Sequence, residues 1–125
     1  MSAAFKIFIG YDSREKIAFH VLSHSIISNA TIPVTITPIN LNNLKRFYNR
    51  AKAKKHSTEF SISRFLTPYL SNYKGYSLYL DCDFIVLGNI AKLLKIISFL
   101  FRELFFNKIL SSNSGLEKLF FNSLI

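Results

Sequence analysis

Residues 5–9, Phe-Lys-Ile-Phe-Ile, form a short apolar run that stops at Gly10. A bounded run of that length reads as a buried strand. After a turn through Gly10 and Tyr11, Asp12 or Ser13 can cap a helix, with Glu15 three residues after Asp12. The spacing predicts this helix over 14–28, with Ile17, Ala18, Val21, Leu22 and Ser25 on one face. Residues 33–39 are β-branched and hold two prolines, which predicts a second strand. Residues 40–56 show no clean period. Ser57 then opens a stretch in which Phe60, Phe65, Leu66 and Leu70 suit a short helix carrying Arg64, with Pro68 expected to kink or end it. Gly75 punctuates, residues 76–80 predict another strand, residues 84–87 continue apolar, and 90–97 can be helical. This alternation is the pattern of an α/β domain with a parallel or mixed sheet flanked by helices. From about Ser98 the character changes. Phe99, Phe101, Phe105, Phe106, Phe120 and Phe121 crowd a tail that predicts irregular, mainly helical pieces without an amphipathic plan. The expected division is therefore 1–96 and 97–125.

Composition narrows the class. A chain of 125 residues, 50% hydrophobic and 15% aromatic, can bury a core and is not a disordered chain. Cys82 stands alone, so no internal disulfide forms and a reducing, cytoplasmic setting is expected. The N-terminal residues lack the pattern of a secretory signal. The most apolar stretch, 96–101, is far shorter than the roughly 20 residues that span a bilayer. Net charge is +9, and no acid occurs between Glu15 and Glu59, where Lys45, Arg46, Arg50, Lys52, Lys54 and Lys55 cluster. Such a run could meet phosphate, a peripheral anionic membrane or nucleic acid. A solvated loop is the plainer reading, and the few interleaved aromatics, Phe47 and Tyr48, weigh against nucleic acid.

Candidate chemistry concentrates in the aspartates. All three, Asp12, Asp81 and Asp83, lie just past apolar runs, at the edge where open α/β sheets bind ligands. On an extended segment, Asp81 and Asp83 would point to one side and Cys82 to the other. Two converging carboxylates suit Mg²⁺ or Mn²⁺, with a solvated turn as the alternative. Asp12 could cap the helix or contact a nucleotide base or ribose, with Tyr11 stacking nearby. Arg64 could hold a diphosphate, or merely pair with Glu59 or a tail glutamate. His20 and His24 have an i, i+4 spacing but no accompanying acid or cysteine, so they are not read as zinc ligands. Cys82 is expected in the core. Gly10 and Gly88 form neither a dinucleotide fingerprint nor a P-loop.

Three blocks carry a resemblance: Ile7-Phe8-Ile9-Gly10-Tyr11-Asp12-Ser13-Arg14-Glu15, Ser57-Thr58-Glu59-Phe60-Ser61-Ile62-Ser63-Arg64-Phe65, and Leu78-Tyr79-Leu80-Asp81-Cys82-Asp83. Together, over about residues 5–95, they resemble bacterial GT-A type glycosyltransferases related to glycosyltransferase family 8. The resemblance implies the nucleotide-binding half of a GT-A domain and a nucleotide diphosphate sugar as donor, with an unknown acceptor. It implies metal binding by Asp81 and Asp83, with Mn²⁺ or Mg²⁺ as Lewis acid, and donor contacts from Tyr11, Asp12 and Arg64. No catalytic residue is assigned. Nothing after Asp83 is a histidine or an aspartate, so a truncated enzyme with weak or absent hexosyl transfer is expected. The alternatives are a non-functional remnant and a small basic nucleic-acid-binding protein.

Overall fold

The computed structural model describes residues 4–46 and 62–110, with the side chains of 105–110 left aside. The chain divides into two compact units, Met1–Ile90 and Ala91–Ile125.

In the first unit the order is β1 (Phe5–Gly10), α1 (Lys16–Asn29), β2 (Val34–Ile39), a 3-10 turn at Leu41–Leu44, a second at Ser63–Leu66, α2 (Thr67–Leu70) and β3 (Ser77–Leu80). The fold is α/β. Its sheet has three strands in the order β2-β1-β3, and both pairings are parallel. Register sets Ile7 beside Ile36 on one flank and Leu78 on the other, and Ile9 beside Leu80. In-register residues of parallel strands share a face, so one face gathers Phe5, Ile7, Ile9, Val34, Ile36, Leu78 and Leu80. This face packs on α1 through Leu22 and Ile26, both fully buried, and Cys82 and Ile90 complete the core. The opposite face carries Lys6, Phe8 and Tyr79, and its polar groups are tied down. The Lys6 ammonium donates to the Ser71 carbonyl at 3.3 Å, and the Ser63 and Tyr79 hydroxyls pair at 3.2 Å.

Several expectations shift by a few residues, each for a local reason. Helix α1 buries Leu22 and Ile26, while Ile17 is 79% exposed and Val21 is also exposed. The inward stripe is thus Ala18, Leu22, Ser25, Ile26 and Asn29, turned from the one the apolar residues alone suggest. Polar Ser25 and Asn29 belong to it because they capture backbone. The Val86 amide donates to the Ser25 hydroxyl at 3.0 Å, and the Asn29 amide donates to the Val86 carbonyl at 3.0 Å. The segment 84–87 is consequently held by α1 rather than by a strand ladder. Pro38 lies inside β2, which is tolerable because β2 is an outer strand of the sheet. Pro68 does not end the helix around Arg64; it sits in the first turn of α2, where its missing N–H is harmless. The turn after α2 closes with Tyr73 N–H on the Pro68 carbonyl at 2.9 Å, and Asn72 and Tyr73 take positive φ. The expected helical residues 57–61 lie outside the described residues.

In the second unit α3 (Ile90–Leu110) runs unbroken for 21 residues. It passes through the expected boundary at 96/97, and up to Leu110 it replaces the expected short pieces with one helix. Residues 111–125 lie outside the described residues. Among the described residues, no helix is long and apolar enough to cross a membrane.

Candidate functional site

The strand order itself creates the site. From β1 the chain goes through α1 to β2 on one flank, then returns across the sheet to place β3 on the other flank. The direction of winding therefore reverses between β1 and β3. In open α/β sheets the crevice beyond the carboxyl ends of two such strands is where ligands bind. The register Ile9–Leu80 brings Gly10 and Asp81 to the same edge. Asp12, Asp81 and Asp83 thus come from the two strands that flank the crevice.

Asp12 is buried, and its carboxylate is engaged locally. It accepts from the Arg14 amide at 2.9 Å, and the Arg14 guanidinium clasps both of its oxygens at 3.0 and 2.6 Å. The Asp12 carbonyl also accepts from the Glu15 amide at 3.0 Å. The side chain fastens the turn that leads into α1, whose cap position is Glu15, so the expected helix-capping role of Asp12 or Ser13 is not the one observed. Tyr11 continues the ladder, its amide donating to the Ile39 carbonyl at 3.1 Å. Its ring stands edge-on to Phe19 at 5.6 Å, half-buried at the crevice side of β1.

Arg64 sits in the 3-10 turn that leads into α2, and α2 packs beside β3. Its guanidinium lies 3.7 Å from the Asp81 carboxylate and is 49% exposed. At that separation the pair attracts but makes no good hydrogen bond. Among the described residues Asp81 Oδ1 is buried without a hydrogen bond of good geometry, the nearby Tyr79 hydroxyl interacting with the Asp81 carboxylate. A buried acceptor without a donor is costly, and native structures seldom leave one without a use. Tyr79 lies close by, with a phenol pushed up to about 12 by burial, the Asp81 charge adding to the effect.

The extended geometry expected for Asp81-Cys82-Asp83 is not found. Strand β3 ends at Leu80, and a turn closes over 81–84, the Phe84 amide reaching the Asp81 carbonyl at 3.4 Å. Alternation along a strand does not apply there. Cys82 is buried in the core, Asp83 is exposed, and Asp81 lies between these extremes. The Cys82 thiol donates to Glu15 Oε2 at 3.6 Å, and burial pushes its pKa up to about 11.

Comparison with known proteins gives one informative match. The chain is 48% identical over 95 residues to "Protein CDI" of Arabidopsis thaliana. That alignment covers 74% of this chain and 37% of the relative, so the chain spans little more than a third of that protein's length. No family model matches. No solved structure matches either, and the architecture stands as a small α/β fold without a GT-A or Rossmann assignment.

These findings correct the reading drawn from resemblance. The curated relative is not named as a glycosyltransferase, and the assignment to family 8 is withdrawn, together with the sugar-transfer function that came with it. The idea of a non-functional remnant finds no support either. Among the described residues no group of three or more histidine, cysteine or acidic side chains could hold a metal ion. Asp81 faces Arg64, and Asp83 stands exposed on the turn. Of the basic cluster only Lys45 and Arg46 are described; the rest lies outside the described residues.

Sequence reasoning missed Ser63, Tyr79 and Thr67. Ser63 is fully buried against Tyr79, and Thr67 Oγ1 is, like Asp81 Oδ1, buried without a hydrogen bond of good geometry among the described residues. Nothing in the sequence distinguishes these hydroxyls from surface ones. The Ser63-Arg64 dipeptide was visible, but as the carrier of a cation only.

Proposed function

We propose that the first unit is a binding domain for a small molecule carrying both a phosphate and a hydroxyl group, held at the crevice between β1 and β3. The observation that carries this reading is the half-exposed Arg64 guanidinium 3.7 Å from Asp81, whose buried Oδ1 makes no hydrogen bond of good geometry among the described residues, at the switch point of a parallel sheet. The carboxylate oxygen calls for a donor, which a ligand hydroxyl supplies. The guanidinium calls for an anion, and phosphate matches its fork geometry. One ligand with both groups satisfies both demands and turns a loose ion pair into a bridged one. Tyr11, at the β1 side, would flank such a ligand. The name of the Arabidopsis relative specifies no ligand, so the proposal rests on geometry.

Calorimetry of the full chain with ribose 5-phosphate, nucleoside diphosphates and inorganic pyrophosphate tests it. The hydroxylated phosphates should bind, and Arg64→Gln should weaken them by about tenfold or more, the usual worth of a charge-assisted hydrogen bond. Asp81→Asn should weaken ribose 5-phosphate and leave pyrophosphate nearly unchanged. If none of these ligands binds, or if Arg64→Gln binds as well as the parent, the crevice is not this kind of site.

A further inference from the structure

Helix α3 has sides. Leu93, Ile97, Leu100 and Leu104 recur at the i, i+4, i+7, i+11 spacing that lines up one stripe of an α-helix. All four are exposed, as are Ile96 and Phe101 along its flanks, and Leu104 reaches 70%. Lys92, Lys95, Arg102 and Glu103 fall within one sector on the opposite side, also exposed, with Phe99 interrupting them. This segment thus presents a wide apolar face backed by three cations and one carboxylate.

We propose that α3 binds an anionic lipid surface, lying in the interface with its apolar stripe toward the acyl boundary and its cations at the headgroups. The charged sector excludes a spanning arrangement, consistent with the absence of a membrane-crossing helix among the described residues. A helix with a broad apolar face and a basic opposite face is the form that settles at a membrane surface. Charge selects the occupant. Lys92, Lys95 and Arg102 outnumber Glu103 in the charged sector, and a leaflet of anionic headgroups complements them, whereas a second copy seated on the apolar stripe leaves them unmatched. The apolar stripe offers nothing to a nucleic acid backbone.

Flotation of the full chain with phosphatidylcholine vesicles, with and without phosphatidylserine, decides the matter. Binding should require phosphatidylserine. It should also fall as ionic strength rises from about 0.1 to about 1 M, which shortens the screening length from about 10 to about 3 Å. Each cation near such a surface is worth about fivefold, so Lys92→Gln/Lys95→Gln/Arg102→Gln should lower partitioning by roughly a hundredfold. That variant changes only exposed side chains, and its circular dichroism should match the parent. Leu100→Glu/Leu104→Glu should abolish flotation. Three results overturn the proposal: equal binding to both vesicles, no binding to either, or a glutamine variant that floats like the parent. A dimer in sedimentation, dispersed by Leu100→Glu/Leu104→Glu in a chain that ignores vesicles, assigns the face to a second copy instead.

Discussion

Ser25 and Asn29 are two small polar residues on the inward side of a helix, and both are there because the backbone near Val86 needs partners. The Ser25 hydroxyl accepts from the Val86 amide and donates to the Leu22 carbonyl at 2.8 Å; the Asn29 amide serves the Val86 and Ser25 carbonyls together. Removing either side chain leaves half-buried peptide groups without a partner. Ser25→Ala and Asn29→Ala should each lower stability by about 1–3 kcal/mol, read from urea unfolding midpoints at constant slope. A loss no larger than that of an exposed-site control would show that water replaces these bonds. Ser25 could be placed on the inner face from its position in the helix. Its partner, 61 residues away, could not.

At the scale of elements, helix α1 shows how far periodicity reaches. Its existence and approximate bounds follow from the apolar spacing and the polar turn before it, and the structure places it at Lys16–Asn29. Its rotation does not follow, because Ile17, Val21, Leu22 and Ile26 outline more than one possible stripe, and only the sheet chooses among them. The choice is measurable. Leu22→Ala, which empties a fully buried site, should cost about 2–5 kcal/mol, whereas Ile17→Ala at an exposed site should change stability by no more than about 0.5 kcal/mol. Equal losses in thermal melts would reverse the assignment of faces. The same limit explains α3. Its first turns were legible, but a Phe-rich sequence masks the spacing of Leu93, Ile97, Leu100 and Leu104 until a continuous helix aligns them.

For the first unit as a whole, two acids protected from ionisation set an alkaline limit. Burial raises Tyr79 from 10.0 to about 12 and Cys82 from 9.0 to about 11. Both groups are neutral when protonated, and the unfolded chain releases each proton at the lower value. Their contribution is therefore whole below pH 9 and declines as pH climbs from about 9 to about 12. The melting temperature should fall through that window, with a shallower fall in Tyr79→Phe and in Cys82→Ala. Identical slopes in parent and variants would show that these two groups do not set the limit. Native Cys82 should also resist thiol reagents until the chain unfolds, since it is buried and its thiolate is suppressed.

The order of strands and helices, the placement of every aspartate at a strand end, and a cationic arginine upstream of β3 are properties of local pattern. Local pattern is carried by neighbours within a few residues, so one chain of letters suffices to read it. Which strands adjoin, where the winding reverses, and that Asp81 meets Arg64 while Asp12 is claimed by Arg14 depend on packing across the sheet. The Asp81-Cys82-Asp83 triplet illustrates the divide. Its letters suit a pair of metal-binding carboxylates, yet the backbone turns after Leu80 and Cys82 goes to the core beside Ile90, so the two acids meet different surroundings. The tertiary structure made that decision because burying Cys82 and closing the turn stabilise this geometry, whereas two carboxylates brought together without a cation repel each other.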